Sequence, residues 1–329
     1  MDWGLIGSNA LQAAIGADMV IYCLAAIGLN VHFGYAGLLN FGQAAFVAVA
    51  AYGLATMVAT FGLSFWLGIS VGLVAVMVLA LLLGIPTLRL RADYLAIVTL
   101  ASAEIVRLTF RSVTLRDTFG GSDGLQGFAG GFYRLNVYSA GIDFGPISFS
   151  ARQSWAITVG WTLIILASLL VWMLMRSPWG RVLKGIREDE DAVRSLGKNV
   201  YSYKLQALLI GGLIGALGGF MYALSQAAVQ PDFTSPDFTF FAYTILILGG
   251  AARVLGPILG AAIFWGLLSL SDGVLRGAQV TYDIPEWLLG STDAGAVRFM
   301  IVGLALMLLM IFRPQGILGD RKELALDAR

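Results

Sequence analysis

The chain reads as long apolar runs separated by short polar or glycine-rich breaks. The runs cover residues 18–33, 38–61, 64–86, 94–112, 155–175, 205–228, 240–252, 255–271 and 297–312. A hydrocarbon core of about 30 Å is crossed by roughly 20 apolar residues in a helix, so these are candidate spans. They are near-continuous rather than alternating with a period of two, which argues for helices and against strands of a membrane barrel. The pattern predicts an all-α fold, a polytopic transmembrane helix bundle of about 8–9 spans, built as a single domain over 1–329. Runs 240–252 and 255–271 are separated only by Arg253 and Val254 and read as one broken or re-entrant unit.

Composition sharpens this picture. Hydrophobic residues make up 58% of the chain and charged residues 12%, where a soluble domain carries about 25% charged. Hydrocarbon is the expected solvent for most of the surface. A net charge of +1 gives no sign of a nucleic-acid partner. One cysteine, Cys23, and one histidine, His32, leave no disulfide framework and no Cys/His metal cluster. Cys23 reads as a small buried apolar residue. His32 reads as a hydrogen-bonded structural residue or as a proton-responsive switch. The opening MDWGLIGSNALQ lacks the basic region of a cleaved signal peptide, so the first apolar stretch is expected to be retained.

Cations set the expected orientation. All four lysines, Lys184, Lys198, Lys204 and Lys322, lie in the 176–204 loop or the C-terminal tail. Arg176, Arg181, Arg187, Arg194, Arg313, Arg321 and Arg329 join them, and Arg89 and Arg91 follow the third run. If these are cytoplasmic, the loops 113–154, 229–239 and 272–296 lie outside, although Arg116, Arg134, Arg152, Arg276 and Arg298 count against it. Nine spans then put the N-terminus outside and the tail 313–329 inside.

Residues inside the runs that are not apolar are functional candidates, because each is costly in lipid. Glu104 and Arg107 are three apart, as a neutralised ion pair or a gate. Asn30, Asn40 and Gln43 fall in GLNVHFGYAGLLNFGQAAF, whose four further breaks are Gly28, Gly34, Gly37 and Gly42. That stretch predicts a broken or kinked helix, a form tolerated inside protein or beside a water-filled cavity, and so a candidate translocation path. Gly211, Gly215 and Gly219 recur every four residues, as do Gly256 and Gly260, and Gly68 and Gly72. Such stripes let helices approach closely, for packing or for sliding. The outer loop FGGSDGLQG, with Gly121, Ser122 and Asp123, reads as flexible, making turns or touching a partner. Trp155, Trp161 and Trp172 suit interface anchoring and packing.

The densest charge lies in RVLKGIREDEDAVRSLGK, residues 181–198, where nine of eighteen positions are ionisable. Ile186, Val193, Leu196 and Val200 recur at helical spacing; Glu190 and Arg194, and Arg187 and Asp191, are i,i+4 pairs. Gly197 suits a helix C-cap. A short amphipathic helix follows, and three readings fit it: a solvated loop, an interfacial helix, or a peg for a soluble partner. Four consecutive acids, Glu188 to Asp191, disfavour anionic lipid.

EDAVRSLG, residues 190–197, resembles the cytoplasmic EAA-type signature of ABC importer permeases through Glu190, Ala192 and Gly197; Asp191 stands where the family usually has a second alanine. LRLRADYLAIVTLASAEIVR (88–107), GGSDGLQG (120–127), RVLKGIREDEDAVRSLGKNVYSYKL (181–205), PDFTSPDFTF (231–240) and RPQGILG (313–319) are similar to the branched-chain amino-acid permeases of the LivM type, over about residues 18–319. The resemblance implies a permease that pairs with a second, LivH-like permease, two cytoplasmic ABC ATPases and an extracytoplasmic substrate-binding protein, in a bacterial inner membrane. The loop 176–204 would hold the coupling helix, with Arg187, Glu188, Asp189, Glu190, Asp191, Ala192, Arg194 and Gly197 facing an ATPase. Gly121, Ser122 and Asp123 would face the binding protein. The chain has no GxxxxGK[ST] phosphate loop and no HExxH, so it is expected to be no enzyme and to hold no cofactor, ATP and Mg being bound by the partner ATPases. Urea, short-chain amides or other amino acids are alternative substrates, and a stand-alone secondary transporter is the alternative class.

Overall fold

In a computed structural model, residues 2–90, 92–145, 147–282, 293–313 and 315–319 are described. Arg91, Arg321, Lys322 and Arg329, the tail beyond Gly319 and the stretch 283–292 of the predicted 272–296 loop lie outside the described residues.

The helices are α1 (Trp3–Ile15), α2 (Ala17–Leu29), α3 (Gln43–Ala55), α4 (Phe65–Thr87), α5 (Ala92–Arg111), α6 (Arg116–Phe119), α7 (Gly130–Tyr133), α8 (Ala151–Arg176), α9 (Pro178–Glu188), α10 (Glu190–Ser195), α11 (Val200–Gln226), α12 (Pro236–Gly249), α13 (Gly256–Tyr282) and α14 (Asp293–Phe312). Each of the nine predicted runs coincides with one of α2, α3, α4, α5, α8, α11, α12, α13 and α14. Among the described residues, six stretches are long and apolar enough to cross a bilayer unaided: Trp3–Tyr35, Gln43–Thr60, Phe65–Thr87, Ala151–Arg176, Val200–Gln226 and Gly256–Gln279. The protein is an all-α polytopic bundle.

Three details depart from the sequence reading. Helix α1 was not among the predicted runs, since Ser8, Asn9 and Gln12 dilute it; it forms by lying along α13, with Ile6 against Gly273 and Ala14 against Gly266. Of the two forms expected for the pair 240–252 and 255–271, a single broken helix does not occur: α12 and α13 are two helices packed side by side. A Cβ on Gly260 would fall 2.0 Å from the Ile245 carbonyl, so this contact is backbone on backbone. Strands also occur: β1 (Leu125–Gln126), β2 (Ile142–Phe144), β3 (Ile147–Phe149) and β4 (Ala228–Val229). They pair antiparallel as β1 with β4 and β2 with β3, in the connections between helices.

Glycine stripes set the centre of the bundle. α11 crosses α2 where Gly211 meets Gly28: a Cβ on Gly211 would sit 2.5 Å from the Gly28 carbonyl and 2.2 Å from His32 Nε2. Without hydrophobic drive between helices in lipid, such close backbone packing is the main source of association. An aromatic cluster fills the other end of the same crossing, with Tyr222 stacked on Phe233 at 3.5 Å and Tyr22 on Phe238 at 4.5 Å. Cys23 is fully buried.

The connections sort to two ends. Residues 34–37, 88–90, 187–204, 252–253 and 315–319 gather at one, tied by the contacts described below. At the other, Thr60 donates to Thr118, Gln12 to Ser148, and Arg107 to Asp232. Lys184, Lys198 and Lys204 share the first end.

Candidate functional site

The charged stretch is not one helix. α9 ends at Glu188, Asp189 takes an extended conformation (φ −153°, ψ 101°), and its carboxylate accepts the Ala192 N–H at 2.9 Å as the N-cap of α10. Aspartate favours that position because its oxygen satisfies an orphan N–H of the first turn. Asp189 thus separates Arg187 from Asp191, and Asp191 pairs with Arg194 at 2.8 Å. The Glu190–Arg194 pair forms as predicted, at 2.9 Å, and Glu190 also receives Lys204 from the first turns of α11. Gly197 adopts φ +75°. The Gly197 N–H donates to Arg194 O (2.9 Å) and the Lys198 N–H to Val193 O (3.4 Å), a Schellman cap.

Glu188, Asp189, Asp191, Ala192, Arg194 and Gly197 are exposed. So is Leu196, at 78%, an apolar side chain of the predicted stripe that stands out beside this charge. Arg187 differs: its guanidinium reaches into the bundle and donates to Gly34 O at 2.5 Å. Beside α10, an open cavity of about 770 Å³ is lined by Arg89, Glu190, Asp191, Arg194, Lys198 and Tyr201 among others.

The polar interruption after α2 is also realised. The helix widens to a π-helical stretch over Asn30–Tyr35, and residues 36–42 are irregular before α3. Asn30, Asn40 and Gln43 are buried, at 1%, 1% and 0% exposure, and each is engaged with backbone. Asn30 Nδ2 donates to Arg253 O (2.8 Å), and its Oδ1 accepts the Ala252 N–H (2.9 Å). Asn40 Oδ1 accepts the Gly42 N–H (2.9 Å), which turns its amide nitrogen toward His32 Nδ1 at 3.0 Å. His32 Nδ1 therefore accepts, and its Nε2–H donates to Leu208 O at 3.1 Å, the neutral tautomer those partners require. Gln43 Nε2 donates to Ala25 O (3.1 Å), while its Oε1 has no partner. Thr99, Thr239 and Tyr243, none of them flagged by sequence, complete the set. Thr99 Oγ1 accepts from Phe41 N, Thr239 Oγ1 from Ala44 N, and the Tyr243 hydroxyl donates to Asn40 O.

Glu104 and Arg107 form the predicted pair on α5, at 2.6 and 2.9 Å. Asp232, a partner not foreseen, accepts from Arg107 (2.7 Å) and Arg111 (3.2 Å) and joins α5 to the turn before α12. The loop 119–127 is held by an ion pair and a close backbone approach. Arg116 pairs with Asp123 at 2.7 Å, and Gly124 (φ +73°) lies against Val229, where a Cβ would fall 1.9 Å from the carbonyl. Gly121 is buried, whereas Ser122 and Asp123 are exposed. Tyr133, further along the chain, donates to Leu224 O at 2.9 Å, and burial pushes its hydroxyl pKa up. Trp155 and Trp161 donate to Phe132 O and Ile15 O, while Trp172 is exposed beneath Arg176. The candidates thus fall in three places: the charged loop with the α2 interruption, the C-terminal half of α5, and the loop after it.

A bundle of apolar helices with a charged helical projection at one end defines a multi-pass membrane protein. Residues 13–311 match the family described as the branched-chain amino acid transport system / permease component, and the chain belongs to it. The high-affinity branched-chain amino acid transport system permease protein LivM of Escherichia coli K12 is 32% identical over 91% of this chain and 68% of its own length. LivM of Salmonella typhimurium LT2 is also 32% identical, over 92% of this chain and 69% of its own. The probable LivM of Methanocaldococcus jannaschii is 26% identical over 92% and 91%. The chain is a permease subunit of an ABC importer.

Proposed function

We propose that this permease moves branched-chain amino acids inward, paired with a second, LivH-like permease. Two cytoplasmic ATPases holding ATP and Mg²⁺ would supply the energy, and an extracytoplasmic binding protein the substrate. The observation that carries this is α10, an exposed helix fixed at both ends by Asp189 and Gly197 and braced by Glu190 onto Lys204. Isolated six-residue helices do not persist in water; one held this firmly in a charged loop is shaped to dock. Glu188, Asp189, Asp191, Ala192, Arg194 and Leu196 form the docking face, which makes this end and the C-terminus cytoplasmic. Ser122 and Asp123 would then face the binding protein.

The path belongs on the free face of α5. Tyr94, Ile97, Ile105 and Leu108 are 50–64% exposed there, beside Glu104, whose side chain is 35% exposed. Glu104 lies twelve residues from the helix start, about 18 Å along it. A partly exposed carboxylate on this face is costly against lipid but not against water or a second subunit. Asn30, Asn40 and Gln43 instead hold the interrupted helix in shape beside that path.

The decisive experiment is a gentle-detergent pull-down of the tagged chain from its native membrane, read by mass spectrometry. Recovery of two phosphate-loop ATPases and a second permease is expected, with loss of the ATPases when 187–197 is replaced by a Gly/Ser linker. A chain that emerges alone in both cases would return the reading to a self-sufficient transporter. Leucine uptake, competed by isoleucine and valine but not by urea or acetamide, would then fix the substrate.

A further inference from the structure

We infer that Arg187 is a positioning residue that ties the docking loop to the interrupted end of α2, rather than a contact for the ATPase; this rests on the importer reading above.

The helical ladder of α2 runs out at Gly34. The next donors in line, the Gly37 and Leu38 N–H groups, turn back to Phe33 O and His32 O. Gly34 O is a helix-end carbonyl of the kind a cation satisfies, and the Arg187 guanidinium donates to it. α9 is placed for this by its buried side, where Gly180, Leu183 and Ile186 face the bundle while Glu188 is exposed. Gly37 gives the side chain its channel. The chain there is left-handed (φ +69°), and a Cβ would sit 3.0 Å from Arg187 Cγ. One turn before Arg187, the Lys184 ammonium lies 6.0 Å from the centre of the Tyr35 ring.

The far side of the same turn is equally committed. A Cβ on Gly34 would fall 2.6 Å from Ala252 N, and the Asn30 amide clasps Ala252 and Arg253 in the α12–α13 connection. The end of α12 is closed in turn by the C-terminal segment, whose Ile317 and Leu318 N–H groups donate to Leu248 O and Gly249 O at 3.0 Å. Displacing α9 therefore pulls on residues 34–37, and through them on the connection between α12 and α13. The Arg187–Gly34 bond is the polar link at the first of these joints.

The test uses the complete importer in proteoliposomes, with binding protein and leucine, measuring both ATP hydrolysis and uptake. With Arg187→Ala, the ATPases should still co-purify while leucine taken up per ATP falls on the order of tenfold, the scale of one charge-assisted hydrogen bond. Arg187→Lys, which keeps a single donor of similar reach, should restore part of the ratio. Gly37→Ala should lower it as well by crowding the Arg187 stem. The double variant should be no worse than Arg187→Ala alone, because both changes act on one contact. Loss of the ATPases from Arg187→Ala would make this residue a docking contact and overturn the inference, as would an unchanged ratio or fully additive losses. Absence of ATPases from the unaltered chain would instead show that the importer reading itself had failed, and the inference with it.

Discussion

At the scale of single residues, the bundle depends on side chains that are missing. Gly211 lets α11 lie on α2 closely enough for the His32 imidazole to reach Leu208 O, so one position serves both packing and a buried hydrogen bond. Gly211→Ala should destabilise the protein by about 1–3 kcal/mol, the usual cost of overpacking, because its Cβ meets backbone and a fixed ring. The measurement is thermal unfolding in detergent, with Gly7→Ala as comparison: nothing lies within 4 Å of a Cβ there, and no loss is expected. The glycine spacing was legible in the sequence. The presence of His32 at the crossing was not, because it depends on the register between two helices about 180 residues apart in the chain.

At the scale of elements, the docking loop shows how a local signal and a tertiary one combine. Its C-cap was legible: glycine after a helix is a preference of the backbone itself. The break at Asp189 was missed, since the spacing of Ile186, Val193 and Leu196 suits one helix as well as two. Gly197→Pro removes both the left-handed residue and the N–H donated to Arg194 O, neither of which proline can supply. Substrate-stimulated ATP hydrolysis in the reconstituted importer should fall to its unstimulated level, with membrane insertion intact. Normal stimulation would sink the assignment of α10 as the docking helix. Asn30, Asn40 and Gln43 were recognisable as anomalies within an apolar run, but their partners, such as Arg253 O and Ala25 O, were not.

At the scale of the whole molecule, the faces left open separate lipid from partner. α8 presents Ile165, Leu166, Leu169 and Leu170, all apolar and all exposed, as a lipid-facing helix does. α5 presents the partly exposed Glu104 beside its exposed Tyr94, Ile97, Ile105 and Leu108. Cysteine substitutions read this out against a silent background, because Cys23 is 0% exposed. In membranes, a water-soluble maleimide should label Ile97→Cys and Ile105→Cys when the chain is expressed alone. Co-expression of the second permease should protect them, and Leu166→Cys should be unlabelled in both cases. Labelling of α5 that ignores the second permease would remove its free face from the subunit interface.

Hydropathy, cation placement and cap preference are local properties of the chain, and by themselves they determined the membrane class, the helical runs, the charged projection with its Gly197 cap and the break after α2. The tertiary structure decided what each polar group is for. Arg187 and Asp191 looked like partners by spacing, yet one turns inward to Gly34 and the other pairs with Arg194. Glu104 and Arg107 gained Asp232, and α1 became a helix by lying along α13. In each case the deciding contact joins positions far apart in sequence or on opposite sides of a backbone break. A buried donor or a close helix crossing is defined by what stands opposite it, and only the folded chain supplies that.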